Sequence, residues 1–534
     1  MVKHVDEGLK RIVDDLKKTG RYQNTLMLSL SDNGAKYKKK TITRTIALLG
    51  LAATVIASEK SAAEKPNVIV ILVDDLGYAD VGFQGSKDIP TPNLDALAAS
   101  GVRFTSGYVT WPACAPSRAS IIAGQDSHRF GFYDNPTPVL ASDQGLPPGI
   151  MTVPRALQQQ GYITGGIGKW HLGTTPNRHP NSMGFTEWYG FLGGAHEYFP
   201  RDSYSAWCKG AKTKYPKRPW PEWFVNITLP ILRDSEAVKT DRYLTDQLSG
   251  EAVDFIKRHQ RNPFFLYLSY NAPHSPSEAP EDEEAKLGLK NMAEIKGVTS
   301  AHRRTYAAMV SRLDRGVGEV LSALKLNGLE EKTLIFFLSD NGGGPPGVEY
   351  YSSNDPLRGY KGTLYEGGFR VPFVASWKGK LPAGTTYNQP VSSMDIGATA
   401  LALAGGAPKG MRLDGVNLIP YLTGQKKEPP HAQLFWKLHS RGVIREGRYK
   451  LITGEAKAKR ELYDLETDPA ETNNLVSEKT ELVQRLGAAW QSWNAGMPVP
   501  AWKKPPQAQW CLPVYQGPLW PEEKAALENN KEPR

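Results

Sequence analysis

The chain has 534 residues, of which 40% are hydrophobic and 22% charged, an ordinary balance for a globular protein large enough for one big domain and a smaller one. Its formal net charge of +10 is concentrated at one end: residues 1–65 carry 13 Lys/Arg and 7 Asp/Glu, which leaves about +4 on the rest and implies no nucleic-acid partner. No segment beyond residue 65 is apolar enough to span a membrane, so the mature chain is expected to have no membrane span.

Residues 1–35 are a partial copy of residues 309–343. Laid on each other without gaps, 14 of the 35 positions are identical, including Met1-Val2 on Met309-Val310, Asp6 on Asp314 and Ser31-Asp32-Asn33-Gly34 on Ser339-Asp340-Asn341-Gly342. A single helix-plus-strand piece cannot bury its own apolar face, so a second active site is not expected. The copy reads as a relic of a related gene, or as a start site placed too far upstream, outside the functional fold. Residues 36–63 read as a secretory signal: Lys-Tyr-Lys-Lys-Lys at 36–40, an apolar run from Thr45 to Ala57, then Ser61-Ala62-Ala63. The apolar run is too short to span a bilayer; the other reading is a buried core helix. The signal would serve export if translation began internally, as at Met27, whereas from Met1 it lies too deep. The expected location, periplasmic or secreted, is conditional on its use.

The folded part begins with Asn67 to Asp75, an unbroken apolar run typical of a strand buried on both faces, ending in Asp74-Asp75. Cys114-Ala115-Pro116-Ser117-Arg118 follows, with Ala123-Gly124 five residues further on. A lone cysteine in a long chain is commonly a buried small hydrophobe. Tyr162 to Gly168 leads into Lys169-Trp170-His171, and Pro263 to Tyr270 leads into Asn271-Ala272-Pro273-His274. Each histidine alone reads as structural; placed at the same kind of strand end, both are expected to face one site. Tyr306 to Leu324 is apolar-periodic and predicts a helix, with Asp314 structural. Thr333 to Ser339 repeats the buried-strand design and ends in Asp340-Asn341-Gly342-Gly343. Ligands collect at the carboxyl ends of strands in open α/β sheets. Two acidic ends side by side would gather Asp74, Asp75, Asp340 and Asn341, an all-oxygen set suited to Ca²⁺ or Mg²⁺ rather than zinc. A single Asp-Asp pair would otherwise read as a turn or cap. Leu357 to Pro372 is glycine-rich and carries Lys361, either a mobile charge able to reach an anion or a solvated lysine on a surface loop.

Leu413 to Gly424 ends the large domain, predicted over 64–425. In the remainder, 426–534, Leu434 to Leu465 predicts an antiparallel sheet with strands at Gly442–Arg445, Tyr449–Ile452 and Glu461–Leu465, covered by a helix near Ser477 to Ala495. The tail from Pro498 is rich in Pro and Trp and is expected to wrap the surface. Cys208 and Cys511 read as one disulfide or two inert thiols, and Asn226-Ile227-Thr228 is a sequon of consequence only in a glycosylating host.

The stretch from Cys114 to Gly124 resembles the sulfatase signature, whose cysteine is oxidised after translation to formylglycine. With the four strand ends and the Lys361 loop, the resemblance to the type I sulfatase family covers nearly all of residues 66–475. It implies an α/β protein with an alkaline-phosphatase-like large mixed sheet sandwiched by helices, and a smaller C-terminal α+β subdomain built on an antiparallel sheet. It also implies one Ca²⁺ held by Asp74, Asp75, Asp340, Asn341 and the modified Cys114. Arg118 and Lys169 would orient and activate the formylglycine hydrate, and His171 would help its second hydroxyl expel sulfate. Lys361 and His274 would grip the sulfate and protonate the leaving alcohol. The implied partners are a sulfated carbohydrate and a formylglycine-generating, sulfatase-maturing enzyme. Independently, a sulfate ester is anionic and gains charge on its leaving oxygen in the transition state, so the site needs a metal, several cations and one acid, for which histidine is the natural choice near neutral pH.

Gln125 to Tyr133, His179-Pro180 and Gly184 to Gly190 resemble the branch acting on galactose or N-acetylgalactosamine units of polysaccharides. The stretch from His196 to Pro230, with Tyr198, Arg201, Trp207, Lys214, Trp220 and Trp223 among its aromatic and basic residues, reads either as the lining of a groove for a polyanionic glycan or as an ordinary insertion. Two rival readings remain: a phosphate or phosphonate ester hydrolase of the same superfamily, and a non-catalytic glycan-binding homologue.

Overall fold

The computed structural model describes residues 65–136, 143–200, 230–286, 300–345, 351–454 and 459–502, and Asp14. The chain divides into two compact units after Glu64, and the architecture below is that of the second. The copy at 1–35, the signal-like segment 36–63, Cys208, Cys511, Asn226 and the tail beyond Trp502 lie outside the described residues.

Every residue of β1 (Asn67–Val73) is buried. Val68, Val70 and Leu72 enter one apolar cluster, and Ile69, Ile71 and Val73 enter a second on the opposite face. The period of two therefore feeds two helical layers, and this is why the run is apolar at every position rather than at alternate ones. Parallel partners β9 (Thr333–Ser339) and β8 (Phe264–Ser269) flank it, with Val70 opposite Phe336 and Tyr267. Then come β4 (Ile163–Lys169) and β5 (Glu187–Phe191), also parallel. On the far side of β9 lies β10 (Phe373–Ser376), antiparallel to both β9 and β2 (Val102–Phe104), and then β11 (Thr385–Tyr387), parallel to β2. Beyond β5 are β6 (Leu232–Arg233) and β7 (Glu236–Ala237), which complete a mixed ten-stranded sheet. A separate two-stranded piece pairs β3 (Gly107–Tyr108) with β12 (Val391–Ser392).

One face is covered by α1 (Pro92–Ala99), α4 (Leu244–His259) and α5 (Ser300–Leu326), whose Leu97, Leu248, Phe255, Leu313 and Val317 enter the second cluster. The other face is covered by α2 (Cys114–Ala123), α3 (Val153–Gln159) and α6 (Met394–Ala404) through Ala119, Ile122, Leu157, Ala400 and Leu401. Asp314 of α5 accepts the backbone N–H of Leu94 at 2.7 Å and the Asn93 side chain at 2.8 Å, so it satisfies the free donors at the start of α1. Among the described residues no helix is long and apolar enough to cross a membrane.

The C-terminal part is an antiparallel sheet, β13 (Gln433–Leu438), β14 (Arg441–Glu446), β15 (Tyr449–Gly454) and β16 (Glu461–Asp464), beneath α7 (Thr480–Ala495). Ile444, Leu451 and Leu462 pack on Val483, Leu486 and Trp490 of that helix. The helix starts at Thr480, three residues past the expected Ser477, after a turn in which the Glu478 and Lys479 N–H groups donate to Leu475 O. Trp436 ties the small sheet to the large domain: its Nε1 donates to Val109 O at 2.7 Å and its ring stacks on Phe369 at 4.6 Å.

Between the two sheets lies a buried charge cluster. Lys450 Nζ is 3.0 Å from Glu366 Oε1 and 2.7 Å from Glu471 Oε1, and all three residues are fully buried. Burial, outweighing Lys450 and reinforced by the Glu366 charge, pushes the Glu471 carboxyl up to about 7. Burial acts the same way on Glu366, but Lys450, Arg370 and Arg445 outweigh it and hold that carboxyl down at about 2. A carboxyl raised on folding stabilises fully below its ordinary value of 4.5 and loses that contribution as pH rises through about 7. Glu366 acts oppositely, losing its contribution only as pH falls from 4.5 towards about 2. In calorimetric melts, wild-type protein is therefore expected to lose midpoint relative to Glu471→Gln as pH is raised from about 5 to about 8. Parallel pH profiles for the two proteins would contradict this.

Candidate active site

The carboxyl ends of β1, β9, β8 and β4 lie side by side because these strands are parallel neighbours. Pairing continues past the strands: Asp340 N–H donates to Val73 O at 2.9 Å and Asp74 N–H to Ala272 O at 3.1 Å. Two non-glycine residues at these ends adopt left-handed backbone conformations, Asp75 at φ 63° and His171 at φ 59°. Such a conformation costs on the order of 1 kcal/mol and turns the chain sharply at the strand terminus. The turn after Asp75 is held by Leu76 N–H on Ser339 Oγ (3.1 Å) and Gly77 N–H on the Tyr306 hydroxyl (3.3 Å).

Cys114 is the first residue of α2, and Arg118 lies one turn later on the same face. Cys114 Sγ is 3.5 Å from Asp74 Oδ1. Arg118 donates through Nε to Asp340 Oδ2 at 2.7 Å, and its Nη2 is 3.6 Å from Asp74 Oδ1. Lys169 Nζ donates to Asp74 Oδ2 at 2.6 Å and Lys361 Nζ to Asp75 Oδ2 at 2.7 Å. Asn341 Nδ2 donates to Asp75 Oδ1 at 2.7 Å. His274 Nε2 is 3.6 Å from Asp75 Oδ2, while its Nδ1 is 2.6 Å from Ser275 O. A carbonyl only accepts, so Nδ1 carries a proton and Nε2 faces Asp75.

Asp74, Asp75, Arg118, Lys169, Asp340 and Asn341 are fully buried, whereas the side chains of Lys361 and His274 retain 17% and 14% exposure, so the cluster opens to solvent on their side. Burial pushes the Asp75 carboxyl up, but Lys361, then His274 and Lys169, outweigh it and hold it below the usual carboxylate range. Asp340 is pushed up to about 6 by burial, with the Asp74 charge adding and Arg118 opposing. Burial raises the Cys114 thiol to about 12 despite Lys169 and Lys361, and a protonated thiol is a poor nucleophile. Burial, joined by Lys169 and Arg118, holds the His171 imidazole neutral. Burial likewise lowers His274 to about 3, against the pull of Asp75.

Ligand atoms of Asp74, Asp75, Cys114 and His274 lie within 4.8 Å of one another, and Asn341 Oδ1 is a buried acceptor with no hydrogen-bond partner. The Asp74 and Asp75 oxygens with the orphaned Asn341 amide oxygen fit an alkaline-earth cation, while the Cys114 thiol and the His274 imidazole in the same group are softer donors and Asp340, expected as a ligand, is not among the four. His171 lies beside this group: its Nδ1 is buried without a partner, and a Cβ on Gly194 would stand 2.6 Å from its Nε2, so only glycine leaves room for the ring.

Several supporting residues carry no local sequence signal. Ser269, at the end of β8, accepts from Arg118 Nη1 at 2.5 Å and donates to Lys169 O at 2.9 Å. Asn135 Oδ1 accepts the Ala115 N–H at 3.0 Å, beside Cys114. Arg201, Trp207, Lys214, Trp220 and Trp223 lie outside the described residues, whereas Tyr198 is buried. Its hydroxyl lies 2.8 Å from both Asn271 O and His274 O, so it steadies the turn that carries His274.

The sequence matches the family model Sulfatase over residues 66–407 and the model N-sulphoglucosamine sulphohydrolase, C-terminal, over 360–487. It is 35% identical over 380 residues to N-acetylgalactosamine-6-sulfatase of Canis lupus familiaris, covering 68% of this chain and 67% of that protein. It is 34% identical over 413 residues to arylsulfatase A of Bos taurus, covering 74% and 76%. Among solved structures, Ps i-CgsB in complex with k-i-k-neocarrahexaose superposes with a TM-score of 0.74 at 38% identity, covering 82% of this chain and 95% of that one. The phosphonate monoester hydrolase of Agrobacterium radiobacter shares the fold at a TM-score of 0.55 and 22% identity. The large mixed sheet, the small antiparallel sheet and the signature at the head of α2 thus agree with the comparisons, and the chain belongs to the sulfatase family.

Proposed function

We propose that this protein hydrolyses sulfate esters on a sulfated polysaccharide or its oligosaccharides, of galactan, carrageenan or glycosaminoglycan type, with Cys114 matured to formylglycine and one Ca²⁺ bound. The observation that carries the reading is the position of Cys114 Sγ, 3.5 Å from Asp74 Oδ1 in a buried cluster where Arg118, Lys169 and Lys361 supply the positive charge. The curated relative N-acetylgalactosamine-6-sulfatase and the neocarrahexaose-bound neighbour support a galactose-type sugar.

Asp74, Asp75, Asp340, Asn341 and position 114 would hold the cation, which when bound offers a Lewis-acidic charge for sulfate oxygens. As a formylglycine hydrate, position 114 supplies a hard oxygen nucleophile that a thiol cannot. Arg118 and Lys169 flank that position from the buried side and fix its orientation. Lys361 and His274, on the side open to solvent, meet the anionic group and the departing alcohol. His171, held neutral, is suited to accept the proton when the second hydroxyl expels sulfate. His274 must first gain a proton at Nε2, and the negative charge of a bound ester favours that step by opposing Lys361 and Lys169.

Residues 64–425 would form the catalytic domain and 426–534 the C-terminal subdomain and tail. Residues 1–35 would stand outside the functional fold, and 36–63 would direct export. A sulfatase-maturing enzyme is the partner required for Cys114.

Sulfate and phosphate esters of one phenol, assayed side by side, test the reaction class: the sulfate ester is expected to turn over and the phosphate ester to lag far behind. Released sulfate from sulfated galactans and glycosaminoglycan oligosaccharides then identifies the substrate. His274→Ala is expected to cost about 10²–10⁴-fold in kcat on sugar sulfates and much less on aryl sulfates, whose leaving groups need no proton. Equal losses on both substrates would remove His274 from the acid role.

A further inference from the structure

The loop that presents Lys361 is fastened from outside the main sheet. Gly367 N–H donates to Arg358 O at 2.7 Å and closes the loop, while Thr363 Oγ1 accepts the Tyr360 N–H at 3.0 Å inside it. Gly359 and Gly362 both take φ 84°, which a β-carbon disfavours. Towards the site, Lys361 N–H donates to Gly343 O at 2.9 Å and Gly362 N–H to Pro112 O at 2.7 Å, two residues before Cys114.

The two ends of the loop meet one residue of the C-terminal part. Arg358 Nη1 donates to Glu471 O at 2.9 Å, and Glu366 N–H donates to Glu471 Oε2 at 2.7 Å. The other Glu471 oxygen takes Lys450 Nζ, which also holds Glu366. Two carboxylates around one ammonium are a poor device for stability alone, since desolvation offsets much of the attraction. Hydrogen bonds from one fully buried residue to both ends of a loop do, however, fix where its tip stands.

We propose that Glu471, clamped by Lys450, is a positioning residue for Lys361: the C-terminal sheet sets where the Lys361 ammonium meets the anion. This rests on the sulfate-ester reading and on Lys361 as an anion-gripping group. Glu471→Ala removes the acceptor for Glu366 N–H while leaving Lys361, the carboxylates and Cys114 untouched. The ammonium then samples a wider volume and grips the sulfate less well.

The test uses the full chain, inorganic sulfate as the probe in titration calorimetry, and steady-state turnover of an aryl sulfate. Glu471→Ala is expected to weaken sulfate binding about tenfold and to raise KM more than it lowers kcat, whereas Glu471→Gln, which keeps an oxygen acceptor, recovers most of the loss. In a Lys361→Ala background, Glu471→Ala should change sulfate affinity by less than about twofold, because the group it positions is gone. A merely structural role would lower the active fraction at unchanged KM. Wild-type sulfate affinity in Glu471→Ala, or additive losses in the double variant, overturns the proposal. Should Glu471→Ala fail to fold, Arg358→Met, which frees the loop's other end, takes its place in the same cycle: weaker sulfate binding that vanishes in the Lys361→Ala background supports the proposal, and wild-type affinity or additive losses overturn it. A wild-type protein that neither binds sulfate nor cleaves a sulfate ester overturns the sulfatase reading instead.

Discussion

Cys114→Ala is expected to lose sulfate-ester turnover by on the order of 10⁴-fold or more while keeping its fold, because the side chain at this position is the proposed nucleophile and nothing nearby replaces it. Among the described residues, the neighbouring carboxylates of Asp74, Asp75 and Asp340 are already bonded to Lys169, Lys361 and Arg118. Stability should change little, since a small buried side chain at a helix start is shortened by one atom, costing on the order of 1 kcal/mol. Cys114→Ser makes the sharper comparison, because it restores an oxygen but offers a single hydroxyl where the proposed chemistry needs two. Mass spectrometry of the wild-type peptide containing residue 114 supplies the independent check: conversion of the thiol to the aldehyde lowers its mass by about 18 Da. A fully active preparation in which that peptide carries an unmodified thiol would remove formylglycine from the mechanism.

The parts of the site that were legible in the sequence share a cause. Asp74-Asp75 and Asp340-Asn341 each follow a strand apolar at every position, because each strand is covered on both faces, and parallel neighbours must bring their ends together. Arg118 follows Cys114 by one helical turn, so the two stand on one face whatever the rest of the chain does. The antiparallel C-terminal sheet was legible through its alternation, and its register runs Ile444 to Leu451 to Leu462 across three strands. Residues that act through distant partners were not legible. Ser269 reaches Arg118 across 151 positions and Glu471 reaches Glu366 across 105, and neither position differs locally from an ordinary polar one. The burial of Tyr198 was not legible either, because its sequence neighbours are basic and aromatic. The short strands β2, β10 and β11 carry too few residues to show a period.

Removing divalent cations from the mature protein is expected to abolish turnover and to lower the unfolding midpoint, with Ca²⁺ restoring both and Zn²⁺ restoring neither. The argument is one of charge. Asp74, Asp75 and Asp340 are matched by Lys169 at 2.6 Å, Lys361 at 2.7 Å and Arg118 at 2.7 Å, so the buried cluster is near neutrality by itself. An anionic ester that gains further negative charge on its leaving oxygen needs a surplus of positive charge, and a divalent ion on these oxygens supplies it. Lys169 and Lys361 lie on the carboxylate oxygens proposed to hold that ion, so its binding would leave Lys169 available to the group at position 114 and Lys361 to the sulfate. Binding to the folded state alone stabilises by about 2.7 kcal/mol at a hundredfold excess over Kd, a shift that melting curves resolve without reference to activity. Asp75→Asn and Asp340→Asn each remove a ligand charge, and both are expected to blunt the Ca²⁺-dependent rise in midpoint along with turnover. Unchanged melting and turnover after thorough chelation, or rescue by Zn²⁺ where Ca²⁺ fails, would contradict a hard-oxygen cation site, because soft or borderline ions prefer nitrogen and sulfur donors to a carboxylate and amide set.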